Sequence, residues 1–158
     1  MFSTAALARK LDLVNIGAAG TFIARRSVTA AELSREIPFT LDLAIRPAAE
    51  VLKLVDAGPP KAPAGTKIFV SVLVAAPKAA PRLPQEFPPG NPWALRIVEK
   101  RGPYVLALRR TDLQRGLDLN AIVEKAFGAR ATTRAWPTLE RIAKALRSLE
   151  APATRARP

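Results

Sequence analysis

The apolar residues of positions 1–57 repeat with two different spacings. Leu7 and Leu11 are four residues apart, as on one face of a helix, and Ser3 precedes them as a cap. In residues 41–45 apolar and other residues largely alternate, which is typical of a half-buried strand. The pattern predicts the order α-β-β-α-β-α, with these elements over residues 4–11, 14–16, 21–25, 29–37, 41–45 and 48–56.

The rest of the chain predicts a second set of elements in a related order. Six prolines in residues 77–92 predict an irregular, polyproline-like loop after the strongest strand. Gly102 marks the turn of a hairpin, and Gly128 ends a helix. The predicted order is β-loop-β-β-α-β-α, over residues 67–75, 77–92, 93–100, 104–109, 119–127, 131–134 and 137–149.

Both orders fit one scheme if a strand is placed before the first and a loop replaces a helix in the second. The scheme is β-α-β-β-α-β with a trailing helix, which is the ferredoxin-like order. We therefore predict an α+β fold of two ferredoxin-like halves, the first lacking its opening strand, with the helices on one side. The predicted division is residues 1–57, a Gly/Pro connector at 58–66, residues 67–150, and a disordered tail at 151–158. The strand left without its neighbour is an open edge, which predicts either aggregation or a homodimer formed by strand addition.

Composition limits the chemistry that this chain can perform. It has 25 basic and 13 acidic residues, a formal net charge of +12, and neither histidine nor cysteine. A Ser-His-Asp triad, a cysteine nucleophile and a histidine or cysteine metal site are therefore excluded. The carboxylates are scattered, so we predict no catalytic residues, no metal and no cofactor. No apolar run approaches the roughly 20 residues of a membrane helix, and we expect a cytoplasmic protein without membrane contact.

Three segments together resemble a known family. They are LVNIGAAGTF at residues 13–22, FVSVL at 69–73 and FGARATTRAWPT at 127–138. The chain resembles, over nearly its whole length, the uncharacterised bacterial family called domain of unknown function 1697. That family usually begins with a strand and a Gly-rich segment that have no match here, and Ala135 and Pro137 replace two asparagines of its pattern. Because the family has no agreed activity, the resemblance implies a fold rather than a function.

The excess of positive charge favours a polyanionic partner. Basic residues crowd the predicted 93–109 hairpin, where Trp93 and Tyr104 could stack bases. The candidate nucleic-acid-binding residues are Arg25, Arg96, Lys100, Arg101, Arg109 and Arg110. The alternative is a solvated basic edge with both aromatic side chains in the core, because Trp93 alternates in phase with Leu95.

A second candidate site lies where a strand runs into the last helix. Exposed N–H groups at a helix start favour anions, and hydroxyl and guanidinium donors add to them. The candidate anion-binding residues are Thr132, Thr133, Arg134, Trp136 and Thr138. The alternative is a strand edge followed by a helix cap, with Trp136 packed in the core.

These sites give three functional hypotheses. The first is a non-enzymatic nucleic-acid-binding module that contacts phosphates with weak sequence preference and accepts RNA or DNA. The second is a small-molecule or phosphoanion-binding domain, or an uncharacterised enzyme, that uses residues 132–138. The third is a protein-interaction domain whose charge is only background. Clustering on one face favours the first hypothesis, and the residues concerned are Arg25, Arg96, Lys100, Arg109 and Arg134.

Overall fold

The computed structural model describes residues 1–17, 20–90, 92–113 and 116–150. Within these residues the chain forms five helices and two antiparallel sheets, which confirms the α+β class. The helices are α1 (Thr4–Leu11), α2 (Ala30–Glu36), α3 (Ala48–Asp56), α4 (Leu119–Phe127) and α5 (Trp136–Glu150). The strands are β1 (Leu13–Asn15), β2 (Phe22–Ala24), β3 (Thr66–Leu73), β4 (Gln85–Phe87), β5 (Leu95–Arg101), β6 (Tyr104–Arg110) and β7 (Ala131–Ala135). The predicted tail at 151–158 and part of the predicted turn at 17–20 lie outside the described residues.

The helix boundaries follow from capping residues, as the sequence predicts. The amide of Glu32 donates to Thr29 Oγ1 at 3.2 Å, and the amide of Thr29 donates to Glu32 Oε2 at 2.8 Å, which completes a capping box before α2. Asp118 accepts from the Ala121 amide at the start of α4. Gly128 ends α4 in the left-handed region, with φ +63°.

The five-stranded sheet has the order β4-β5-β6-β3-β7 and carries a core on each face. Phe127 of α4 packs with Leu73 and Val105 on one face. Trp136 of α5 packs with Val70 and the remaining apolar residues of the other face, and α3 joins them. The expectation of helices on one side is therefore wrong. Its cause is that β3 is apolar from Ile68 to Leu73 except at Ser71, and β6 is apolar from Tyr104 to Leu108, so both faces of the sheet must be covered.

Two local predictions are also wrong. The Pro-rich segment 77–92 is not wholly irregular, because β4 pairs with β5 inside it. Residues 41–45 do not form a strand, since no neighbouring strand of the described chain pairs with them. Leu41 and Ile45 are accordingly 48% and 41% exposed. The hairpin of β1 and β2 forms a separate sheet, so the finer division into two ferredoxin-like halves is not confirmed.

One N-terminal helix, α3, nevertheless shares a core with the large sheet. Leu54 of α3, which precedes the 58–66 connector, is buried with Val70 and Trp136. A smaller cluster of apolar residues joins α1, β1 and α2. Among the described residues, no helix is both long and apolar enough to cross a membrane.

Candidate nucleic-acid interface

The predicted basic cluster divides between the two ends of the β5–β6 hairpin. Arg96, Arg109 and Arg110 lie at the open end, whereas Lys100 and Arg101 lie beside the turn. Arg101 follows Arg96 by five positions, which is roughly 17 Å along a strand. The hairpin therefore does not carry a single basic patch.

The residues at the turn have local partners. The Arg101 guanidinium donates to the Gly58 carbonyl at 2.6 Å and to Glu99 Oε1 at 2.6 Å, so it ties the connector to β5. Lys100 is exposed. Arg25 follows β2 of the smaller sheet, and its Nε lies 3.7 Å from Asp12 Oδ1. Lys100 and Arg101 therefore lie at the opposite end of the hairpin from Arg96, and Arg25 follows a strand of a different sheet.

At the open end, two arginines lie beside a buried tryptophan. The Arg96 guanidinium carbon is 4.2 Å from the centroid of the Trp93 ring, and that of Arg110 is 5.9 Å away. Trp93 is 6% exposed, but it precedes β5 and its ring lies against Arg96 rather than with Leu95 in the core beside α4. A groove of about 550 Å³ opens here, and its lining residues are Pro63, Ala64, Thr66, Glu86, Trp93, Arg96 and Arg110.

Each of these arginines also has a carboxylate partner. Arg96 Nε donates to Glu86 Oε1 at 3.0 Å, and Glu86 is placed there by the pairing of β4 with β5. Arg110 Nη2 donates to Asp112 Oδ2 at 2.7 Å. This hydrogen bond raises the pKa of Arg110 and lowers the pKa of Asp112. The carboxylates fix the two guanidinium groups at the edge of the groove.

The other face of the same sheet end carries more positive charge. Lys67 on β3 lies directly opposite Arg109 on β6, and neither forms an ion pair within the described part of the chain. Arg109 donates instead to the Leu117 carbonyl and lies 5.9 Å from the Phe69 ring centroid. Like charges directly opposite each other destabilise a sheet. Both faces of this sheet end therefore carry basic residues.

At the second predicted site, the Arg134 side chain forms hydrogen bonds to other groups of the protein. Arg134 Nε donates to Thr21 Oγ1 at 2.6 Å, and its Nη1 donates to Thr132 Oγ1 at 2.9 Å and to the Thr133 carbonyl at 2.8 Å. Burial lowers the pKa of Arg134. This side chain joins β7 to the turn that precedes β2.

The neighbouring residues of that site face the interior as well. Thr133 Oγ1 donates to Asn120 Oδ1 at 3.0 Å, so its 2.6 Å hydrogen bond with Ser71 must have the Ser71 hydroxyl as the donor. Trp136 is 6% exposed within the core, and the buried Thr138 accepts from Arg141 at 3.4 Å. The donors expected to bind an anion are thus largely used inside the fold.

The strand register also places the predicted basic residues on different faces. Arg134 lies opposite Val70, on the face covered by α3 and α5. Arg109 lies opposite Leu95, on the face covered by α4. What the structure does bring together is Trp93, Arg96 and Arg110, with Glu86 from a segment that the sequence predicts as loop. Its proline content hides β4, and only the short Gln-Glu-Phe run gives a strand signal.

Within the described ranges, no group of three acidic side chains is close enough to hold a metal ion. The resemblance to the domain of unknown function 1697 family stays a prediction. Comparisons of the chain with protein-family models, with curated proteins and with solved structures found no match.

Proposed function

We propose that the protein binds nucleic acid, without catalysis, at the open end of the β5–β6 hairpin. The observation that carries the proposal is the stacking of Arg96 on Trp93 at 4.2 Å beside an open groove. The Arg96 guanidinium lies over the Trp93 ring, and we propose that an unstacked base stacks on its other side, which is a common mode of single-strand recognition. Single-stranded RNA or DNA is therefore the preferred form of the ligand.

Phosphate contacts supply the remaining affinity in this proposal. Arg110 borders the groove, and Lys67 projects from the adjacent strand position on the opposite face. A phosphate at Arg110 must compete with Asp112, whose carboxylate is 2.7 Å from the guanidinium. We expect modest affinity with a strong salt dependence.

The alternative at residues 132–138 receives less support from the geometry. An incoming anion there must displace Thr21 and Thr132 from Arg134, and Trp136 is unavailable for stacking because it lies in the core.

The test is fluorescence anisotropy with labelled single- and double-stranded RNA and DNA, at about 50 and 200 mM salt. Replacing Arg96 and Arg110 together by Gln should weaken binding of a single strand by about tenfold or more, because the stacking surface of Arg96 and the phosphate contact of Arg110 are both lost. The loss of one phosphate contact should reduce the salt slope by about 0.7. The matched control replaces Arg26 and Arg147 by Gln. These two arginines also pair with carboxylates, Glu32 and Asp56, but lie elsewhere. Equal weakening in both double variants would reject the groove as the binding site.

A further inference from the structure

The smaller sheet has a free edge at β2. The Ile16 N–H donates to the Thr21 carbonyl at 3.0 Å, and the Arg25 N–H donates to the Asp12 carbonyl at 3.4 Å. Hydrogen-bonded and non-hydrogen-bonded pairs alternate along an antiparallel ladder, so Phe22 and Ala24 belong to non-hydrogen-bonded pairs with β1. Phe22 therefore points its N–H and C=O away from β1, and so does Ala24. Within the described chain, β2 pairs with no other strand. This edge can accept an added strand.

The 41–45 segment has the side-chain pattern of a strand but no partner. Leu43 packs against the same apolar cluster as Leu13 of β1, which places the segment and the hairpin beside one pair of helices, α1 and α2. Leu41 and Ile45 stay 48% and 41% exposed. In the large sheet, β3 has a strand on each side, β6 and β7. In the small sheet, β2 has β1 on one side and no described strand on the other.

We propose that two copies of this chain dimerise here, the 41–45 segment of each adding as an antiparallel strand to β2 of the other. The occupant is a second copy because one chain carries both parts of the contact, a strand acceptor and a strand donor. A two-fold arrangement uses the acceptor and the donor of both copies and leaves neither over.

One register satisfies both the apolar and the charged positions. It sets Phe22 opposite Ile45 of the second copy, and Ala24 opposite Leu43 of the second copy. Arg25 then meets Asp42 of the second copy, an opposite-charge cross-strand pair. Because Arg130 engages Oδ2 of Asp42, the Oδ1 atom can accept from Arg25 of the second copy. A shift by one residue sets Leu41 against Arg25 and loses this complementarity.

Light scattering coupled to size-exclusion chromatography, over a roughly hundredfold range of concentration, measures the dimer fraction by mass action. Ile45→Lys puts a charge into the contact and should shift the midpoint of dimerisation upward by about tenfold or more. Ala24→Pro removes an edge N–H that β1 does not use and should act likewise. Leu149→Lys is the control, because Leu149 is also 44% exposed but lies on α5. A monomer at every concentration, or an equal shift with Leu149→Lys, would overturn the proposal.

A second measurement, disulfide cross-linking, tests the proposed strand register directly and does not depend on how stable the variant protein is. The chain has no cysteine, so the double variant Arg25→Cys, Asp42→Cys introduces the only thiols. Opposite positions of the proposed pair have Cα atoms about 4.5 Å apart, within the range that a disulfide spans. Mild oxidation should give a covalent dimer on a non-reducing gel, whereas Arg25→Cys with Leu149→Cys should give little. A dimer in solution that does not cross-link through positions 25 and 42 would contradict this interface.

Discussion

The open end of the β5–β6 hairpin and the junction between β7 and α5 contain similar residues in opposite settings. Each has an arginine near a buried tryptophan, Arg96 with Trp93 and Arg134 with Trp136. Arg96 stacks on its tryptophan at the edge of a groove. Arg134 instead donates to oxygen atoms of its own chain, and Trp136 packs in the core. The same residue types therefore line an open groove in one region and hold elements of the fold together in the other.

The difference comes from what lies over each arginine. Thr21, in the turn before β2, accepts from Arg134 and links the small sheet to β7. Arg96 donates to Glu86 of the short strand β4, and the groove beside it remains open. If this contrast is correct, substitutions at the junction should change stability and those at the groove should change binding.

The largest expected effect is on stability, from Trp136→Ala. Truncating a buried tryptophan should lower the free energy of unfolding by about 3–5 kcal/mol, because it leaves a cavity among Leu54, Val70 and Leu139. Urea denaturation measures this loss. A change below about 1 kcal/mol would place Trp136 outside the core and weaken the contrast.

Arg134→Met should have the next largest effect. It removes the donors that reach Thr21, Thr132 and the Thr133 carbonyl, and we expect a loss of about 1–3 kcal/mol. Oligonucleotide affinity of the folded protein should stay within about twofold of the original, since only one distant positive charge is removed. Unchanged stability with lost affinity would instead assign binding to the junction.

Asp112→Asn should produce a smaller effect of opposite sign on binding. Without its carboxylate partner, Arg110 becomes available to a phosphate, and affinity should rise by about twofold to fivefold. Glu36→Gln is the matched control, because it removes the same charge from an ion pair with Lys10. An equal rise in both variants would show that only the net charge matters.

The smallest expected effect is the dependence of stability on pH. The hydrogen bond from Arg110 lowers the pKa of Asp112, and the Thr29 amide, followed by Arg26, lowers the pKa of Glu32. In the unfolded chain these carboxyl groups regain their ordinary pKa. Their stabilisation is therefore fully present above that pKa and is lost as the pH falls through the lowered folded-state values. Thermal melts from neutral to acid pH should show a smaller decline for Glu32→Gln than for the original protein, and identical declines would contradict this.

Local elements could be predicted from the sequence because their causes are local. The limits of α1 and α4 follow from Ser3, Asp118 and Gly128, each within a few residues of the helix that it bounds. The 41–45 segment shows where such reasoning ends. Its alternation is a strand signal, but a strand also needs a neighbour, and alternation does not provide one.

The candidate site could be predicted only in part for the same reason. The basic residues of the hairpin were visible in the sequence, but their division between its two ends depends on strand length and register. Contacts between residues distant in the chain were not predictable, and Arg134 with Thr21 is the clearest example. Glu86 beside Arg96 required the pairing of β4, which the prolines around it obscure.

The most direct test uses the two tryptophans, since each region of the comparison contains one. The variant Trp136→Phe retains only Trp93, and Trp93→Phe retains only Trp136. Each is titrated with the same single-stranded oligonucleotide while tryptophan emission is recorded. Binding at the groove predicts that emission changes in the variant that retains Trp93 and stays constant in the variant that retains Trp136. A change confined to Trp136 would contradict it and place the ligand at the junction of β7 and α5.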